Sequence, residues 1–357
     1  MKPRLLAGSL WPWFFLFIAT SYWISLFVAP LIALFLMSGG EIAPSGPSAH
    51  DLWSLDLSIA GWTVRQAGWS TFFSVLLGLP IGLAVGRLDP GGRSLRWMRV
   101  LLALPWSVPT LIAAYAAVDW LGSGSILPWA YSLQGVITVH VFLNAPFVAL
   151  WISQARATVD PGQLAIAASL GASRWVRLRW VVWPAIRNAA MSTTSQVFTL
   201  CMTSFAIVLL VGGGPPVESL ETSVYSRIRM GGLDLSGAGR AALLQFVICI
   251  LPWAIAVRLG DRAASAKPVS RTMIPRRKNN PIGTAILFAI CTIPLLPYVR
   301  IFSQSLPTFW NDEIAQALRV SLRLAASSSL LAILAGSASI GLLKSWRLKR
   351  GLAWFVQ

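Results

Sequence analysis

Residues 133–155 read LQGVITVHVFLNAPFVALWISQA, an apolar stretch that contains no Asp, Glu, Lys or Arg. At about 1.5 Å per residue, a helix of this length crosses the roughly 30 Å hydrocarbon core of a bilayer. With 56% hydrophobic and 11% charged residues among 357, the chain has more apolar surface than one soluble core can bury. An all-α, polytopic membrane helical bundle of about eight transmembrane helices is expected. The uncharged runs are Leu10–Met37, Ala67–Gly86, Val100–Val118, Leu133–Ala155, Asn188–Val211, Ala241–Val257, Pro281–Val299 and Leu324–Leu343.

The basic residues are concentrated on one side of these segments. A net charge of +17 would suit a nucleic-acid partner, because basic proteins neutralise phosphates. However, 22 of the 29 basic residues lie near the two chain ends and in segments 87–99, 156–187 and 258–278. All of these face the cytoplasm if the N-terminus does. This positive-inside distribution predicts a multi-pass inner-membrane protein with a cytoplasmic N-terminus, and it argues against binding of nucleic acid.

The composition predicts no catalytic or metal site and no cofactor. Cys201, Cys249 and Cys291 are spaced neither as a metal site nor as a disulfide framework, and His50 and His140 are far apart. No Gly-x-x-x-x-Gly-Lys-Ser/Thr loop is present, so the chain itself is not expected to hydrolyse ATP. A transporter driven by an ion gradient is the alternative. Its usual buried carboxylates are missing, because the predicted spans contain no Asp or Glu.

A basic segment follows the quoted span and reads VDPGQLAIAASLGASRWVRLRWVVWPAIRNA over residues 159–189. Asp160 and Pro161 are typical of a helix start, and Gly171 permits a backbone reversal that a residue with a Cβ resists. The pattern predicts a short helix, a turn and a second helix that is rich in Trp and Arg. Such a helix pair could seat in a groove of a soluble partner or lie on anionic membrane lipid, and the residues favour neither.

This segment resembles the cytoplasmic coupling loop of ABC transporter permeases, in which Glu-Ala-Ala, three residues and Gly are followed by nine residues, an aliphatic residue, one residue and Leu-Pro. Ala165 stands where the family most often has Glu. The resemblance implies that the loop 157–187 contacts a separate cytoplasmic ATPase, which usually acts as a dimer. The matching positions are Ala165, Ile166, Ala167, Leu170, Gly171, Val181, Trp183 and Pro184.

Two further passages look like those of the thiamine- and ferric-iron-type permeases. They are VHVFLNAP at residues 139–146 and GGGPPVESLETSVY at residues 212–225. The three matches in this order imply the type I fold of ABC importer permeases. They also imply a transport subunit that works with an external substrate-binding protein and is not itself an enzyme.

Four polar residues are candidates for direct roles in transport. His140 and Asn144 lie one helical turn apart and could line the translocation path, or they could bond to a neighbouring helix instead. Glu218 and Glu221 could receive a basic patch of the binding protein. The alternative for these two acids is an ordinary solvated loop.

The chain is expected to contain one permease unit and part of a second. Residues 1–260 would form the first unit with six helices, 261–280 a basic cytoplasmic linker, and 281–357 the start of the second unit with two helices. At an offset of 259 residues, Ile81-Gly82-Leu83 matches Ile340-Gly341-Leu342. These features predict a double-length permease whose second half is truncated. A homodimer built on the first six helices is the alternative.

Overall fold

A computed structural model describes the chain at residues 17, 20–22, 24–38, 49–89, 92–122, 128–214, 217–230, 233–260, 280–305 and 312–345. The described residues are helices joined by short turns, apart from one isolated β-bridge between Gly214 and Val217. The chain divides into two compact units, one of residues 1–39 with 305–357 and one of residues 40–304. The expected linker falls outside the described residues over 261–279.

The helices, in chain order, are α1 Ala29–Ser38, α2 Ala49–Val85, α3 Arg93–Ser107, α4 Thr110–Leu121, α5 Leu133–Ala157, α6 Pro161–Ser169, α7 Arg174–Arg177, α8 Trp183–Met202, α9 Ala206–Gly212, α10 Leu220–Arg229, α11 Leu235–Gly260, α12 Pro281–Thr292, α13 Leu296–Ser305 and α14 Asp312–Ser345. A π-helical turn, Ile24–Val28, precedes α1, and another, Leu178–Val182, joins α7 to α8. A 3₁₀ turn, Ile293–Leu295, joins α12 to α13.

The helices α2 and α5 form the most extensive interface among the described elements. Three glycines spaced by four residues, Gly78, Gly82 and Gly86, make this close approach possible. A Cβ on Gly82 would lie 2.6 Å from the backbone oxygen of Ala149, and one on Gly78 would lie 2.5 Å from that of Ala145. Small residues at this spacing allow the backbones of membrane helices to approach one another closely. The glycine triplet therefore sets the packing of this pair.

An apolar core around this pair draws in α8 and α11. It includes Phe147 and Ile152 of α5, Ile186 and Val197 of α8, and Ala241 of α11, all of them buried. A second cluster is built from α4, α5 and α9, and Tyr298 of α13 is buried in it. The core thus lies between helices that are distant in sequence.

Two of the predicted spans are broken helices. The run Val100–Val118 crosses the junction of α3 and α4, which bend by 89° at Val108 and Pro109. The run Asn188–Val211 crosses the junction of α8 and α9, which bend by 57°. Pro109 lacks the N–H that a continuous helix would need, which explains the first break. Each run was expected to form one transmembrane helix, and in each the structure has two helices joined at a bend.

The segments between the predicted spans are partly helical as well. The helix α2 begins at Ala49, well before the predicted span Ala67–Gly86. The segment between the predicted spans Asn188–Val211 and Ala241–Val257 contains α10, whose start is closed by a capping box between Ser219 and Thr222. Leu220 N also donates to Thr63 Oγ1 of α2 at 3.0 Å, so the segment is packed on the bundle.

By length and composition, the described residues contain five helices able to cross a membrane, or seven if each bent pair is one span. This supports a polytopic helical bundle. The predicted first helix, Leu10–Met37, lies partly outside the described residues. The unit of residues 1–39 and 305–357 contains α1 and α14, and most described side chains of α14 are exposed.

Candidate functional site

The first helix of the basic segment begins as its sequence predicts. Asp160 is the N-cap, and its Oδ1 accepts a hydrogen bond from Gly162 N at 2.8 Å. Pro161 occupies the first helical position, where its missing N–H leaves no intrahelical bond unmade. The helix α6 therefore has a defined start directly after α5.

Gly171 ends this helix with a left-handed residue, at φ +78°. Gly171 N donates to Ala168 O at 3.0 Å, and Ala172 N donates to Ala167 O at 2.9 Å. This pair of bonds is the Schellman motif, which needs a left-handed residue at the position of Gly171. A Cβ built on Gly171 meets nothing within 4 Å, so the requirement for glycine here comes from the backbone alone.

The second helix starts at Ser173, whose Oγ accepts from Val176 N at 3.3 Å. Its large side chains are exposed, with 78% of Trp175 and 70% of Trp180 accessible. The guanidinium of Arg179 lies 5.9 Å from the centre of the Trp180 ring. An exposed surface of tryptophan and arginine thus follows the turn.

The basic segment is also anchored in the bundle. Leu164 of α6 and Leu178 of the π-helical turn pack against the core that contains Val182 and Ile186. Together α7, the π-helical turn and α8 form a continuous helical stretch from Arg174 to Met202. The exposed part of the segment is therefore joined directly to a core helix.

Most positions of the permease loop pattern are exposed, and a few are partly buried against the bundle. No residue of α6 is buried, and Leu170 is 81% exposed. Ala165, at the position where the family most often has Glu, is exposed as well. Val181 is half-buried, while Trp183 and Pro184 at the start of α8 are exposed. The sequence pattern thus describes a protruding helix–turn–helix with an available apolar surface.

Residues 78–266, more than half of the chain, match the family described as binding-protein-dependent transport system inner membrane component. The chain belongs to this family. The matched region contains α5 and the whole basic segment. The family resemblance inferred from the coupling-loop pattern is thus confirmed.

The curated relatives of this family member include thiamine permeases. The thiamine transport system permease protein ThiP of Haemophilus influenzae is 29% identical over 354 residues, which cover 93% of this chain and 63% of that protein. ThiP of Escherichia coli is 29% identical over 296 residues, covering 76% of this chain and 54% of that protein. The chain therefore spans less than two thirds of the length of these relatives.

A solved structure agrees with the fold. A permease chain of the bacterial alginate ABC transporter, determined in complex with an alginate-bound periplasmic protein, superimposes with a TM-score of 0.57 at 16% identity. The match covers 71% of this chain and 95% of that chain. It supports the expected fold of an ABC importer permease.

His140 and Asn144 lie inside the unit of residues 40–304. His140 is 1% exposed, and its Nδ1 lies 3.2 Å from Ser70 Oγ of α2. Asn144 Nδ2 donates to Cys201 Sγ at 3.5 Å, and Gln66 Nε2 donates to Cys201 O at 2.8 Å. These contacts favour the reading in which both residues bond to neighbouring helices. A role in lining the translocation path stays a prediction.

Glu218 and Glu221 are half-buried and bonded to their surroundings. Glu218 Oε1 accepts from Ser226 Oγ at 3.0 Å, and Glu221 Oε2 accepts from Gln245 Nε2 of α11 at 2.7 Å. The alternative of an ordinary solvated loop does not describe them. Docking of a binding protein at these acids stays a prediction.

A buried charge cluster was missed by sequence reasoning. Asp56 of α2 is fully buried and forms ion pairs with Arg227 of α10 and Arg240 of α11. Asp56 lies on α2 before the predicted span Ala67–Gly86, so that span itself contains no acidic residue. Alternating charges in segment 212–240 were the available signal. The pairing itself joins residues more than 170 positions apart.

Proposed function

We propose that this chain is the transmembrane permease of an ABC importer that carries thiamine or a similar small solute. Its partners are a cytoplasmic ATPase dimer and an external substrate-binding protein. Family membership and the thiamine permeases among its relatives support this assignment. The observation that carries it is the protruding helix–turn–helix Asp160–Pro184, exposed at its tip and joined to the core through α8.

The loop couples ATP binding to transport by differential contact. Closure of the ATPase pair moves the exposed tip at Leu170, and the continuous stretch to Met202 transfers this motion into the bundle. The broken helix at α8 and α9 then lets the two ends of the span reorient separately. A two-state rocking of helices of this kind needs partner contacts that differ between the two states.

The positive-inside distribution orients the chain. The N-terminus and the Asp160–Pro184 loop lie in the cytoplasm, and the segment with Glu218 and α10 lies outside. The Asp56 cluster is then at the outer end of α2. Its carboxylate is neutralised by two arginines, which makes it a poor relay for an ion gradient.

Reconstitution tests the proposal. The chain is incorporated into proteoliposomes with its co-purifying ATPase, and uptake of radiolabelled thiamine from the loaded binding protein is measured. Uptake that requires ATP and persists with a proton ionophore is expected. Uptake that an ionophore abolishes and that continues without ATP would show a gradient-driven transporter instead.

A further inference from the structure

We infer that a cavity beside the outer third of α2 is a transit site for a solute with a cationic aromatic ring and, close to the ring, a hydrogen-bond-accepting oxygen. The cavity has a volume of about 560 Å³. This volume is in the range of small-molecule sites. It is lined by Leu55, Ser58, Ile59, Gly61, Trp62, Arg65 and Glu218. The inference rests on the proposed function, since it names where the solute is held on its way.

The cavity lies where a solute from outside first meets the bundle. Residues 66–85 of α2 carry no charge, and Arg65 stands directly before this run. The bond between Leu220 N and Thr63 Oγ1 places the segment of Glu218 at the same level of the helix. On the proposed topology, the cavity is at the outer end of the charge-free part of α2.

Opposite charges line the cavity without neutralising each other. Among the described residues, the ion pairs involve neither Arg65 nor Glu218, and Arg65 donates to no described residue. Arg65 is exposed, and its guanidinium offers five donors and no acceptor, so an acceptor oxygen of a solute can bond to it. Because a charged donor bonds more strongly than a neutral one, an oxygen of the solute is favoured at Arg65.

Glu218 is held in position for the cationic ring of the solute. One oxygen, Oε1, accepts from Ser226 Oγ, and the capping box that starts one residue later fixes the local backbone. Trp62 is half-buried on the same wall. An indole face attracts a cation placed over it, and a nearby carboxylate adds to this attraction. A cationic ring is therefore favoured between Trp62 and Glu218.

The two charges also give selectivity. A solute with only a cationic ring makes no bond to Arg65, and one with only an oxyanion meets Glu218 unfavourably. A solute that carries a cationic ring and an acceptor oxygen close to it satisfies both. Thiamine has this arrangement, with a thiazolium ring that bears a hydroxyethyl group.

Equilibrium binding tests the site. The 357-residue chain is placed in lipid nanodiscs, and binding of radiolabelled thiamine is measured in competition with two analogues. One analogue lacks the hydroxyl oxygen, and the other has an uncharged ring. The wild-type chain is expected to bind each analogue roughly tenfold or more weakly than thiamine.

Three variants show which residue binds which group of the solute. Arg65→Gln should lose the preference for the hydroxyl, and Glu218→Gln should lose the preference for the charged ring. Trp62→Leu should weaken thiamine binding by about threefold to tenfold. The charge-matched controls Arg229→Gln and Glu313→Gln, which do not line the cavity, should bind as the wild type does. Variants that keep both preferences would overturn the inference.

ATP-dependent uptake by the same preparations separates this site from the proposed function. Uptake by a wild-type chain that shows no binding would overturn the transit site and leave the function standing. The expected binding pattern without uptake would support the cavity and contradict an ABC importer. Absence of both would contradict both.

Discussion

Replacing Gly171 tests whether the turn of the Asp160–Pro184 loop is needed for coupling. The residue has φ +78°, and a left-handed conformation costs a residue with a Cβ about 1–2 kcal/mol. A Cβ there meets nothing within 4 Å, so the perturbation is one of backbone preference and not of crowding. Alanine, valine and asparagine can therefore be compared within one open space.

The size of the effect follows from the two hydrogen bonds of the turn. At about 1 kcal/mol net each, the Ala168 and Ala167 bonds favour the turn by roughly 2 kcal/mol. Gly171→Ala removes about 1–2 kcal/mol of this, which leaves the turn formed in roughly half to four fifths of the molecules. Gly171→Val should lower the fraction further, because a β-branched side chain is stiffer at χ1. Gly171→Asn should come closest to glycine, because asparagine tolerates the left-handed region.

The assay is ATP-dependent thiamine uptake, normalised to the amount of permease in the membrane. We expect uptake to fall in the order Gly, Asn, Ala, Val while the inserted amount stays nearly constant. Wild-type uptake by Gly171→Val would contradict the coupling assignment and favour a lipid-anchored loop. An equal loss in all three variants would show that contact with a side chain, and not backbone strain, is the cause.

Further predictions concern packing, charge and topology. Gly82→Ala should lower the free energy of unfolding of the detergent-solubilised protein by about 1–3 kcal/mol, because its Cβ meets the Ala149 backbone. Gly68→Ala, in open space on the same helix, should leave it unchanged. Equal melting temperatures for the two variants would contradict the close α2–α5 packing. Asp56→Asn should destabilise by roughly 3 kcal/mol or more, because it leaves the buried Arg240 and the half-buried Arg227 without their carboxylate, and an unchanged unfolding midpoint would show that the cluster is not needed. In intact cells, a membrane-impermeant thiol reagent should label Met230→Cys but not Gln163→Cys, and the reverse pattern would invert the topology.

The local structure of the Asp160–Pro184 loop was predictable from its sequence. The signals of Asp160, Pro161 and Gly171 act within a few residues, so the cap, the first turn and the reversal could be read without knowing the rest of the fold. Hydropathy predicted the membrane spans because it too depends only on residues that are close together in the sequence. It could not locate the breaks at Pro109 and after Met202, because an average over apolar residues is the same for a straight and a bent helix.

Contacts between segments that are distant in the sequence were the main feature that the sequence did not predict. The spacing of Gly78, Gly82 and Gly86 was visible in the sequence and could have indicated a close helix contact, although not that α5 is the partner. Asp56 could not be matched to its arginines, because a charge pattern does not specify pairing over such separations. His140 was open to two readings, and only the position of Ser70 on a neighbouring helix favours one of them.

Site-specific crosslinking shows whether the Asp160–Pro184 loop contacts the ATPase. Leu170→Cys is introduced into the permease of the purified complex and treated with a short bifunctional thiol reagent, with Met230→Cys as the control on the other side. We expect a crosslink from residue 170 to the ATPase, a yield that changes when ATP is bound, and none from residue 230. A complex that transports with ATP but never crosslinks at residue 170 would contradict the assignment of Asp160–Pro184 as the coupling loop.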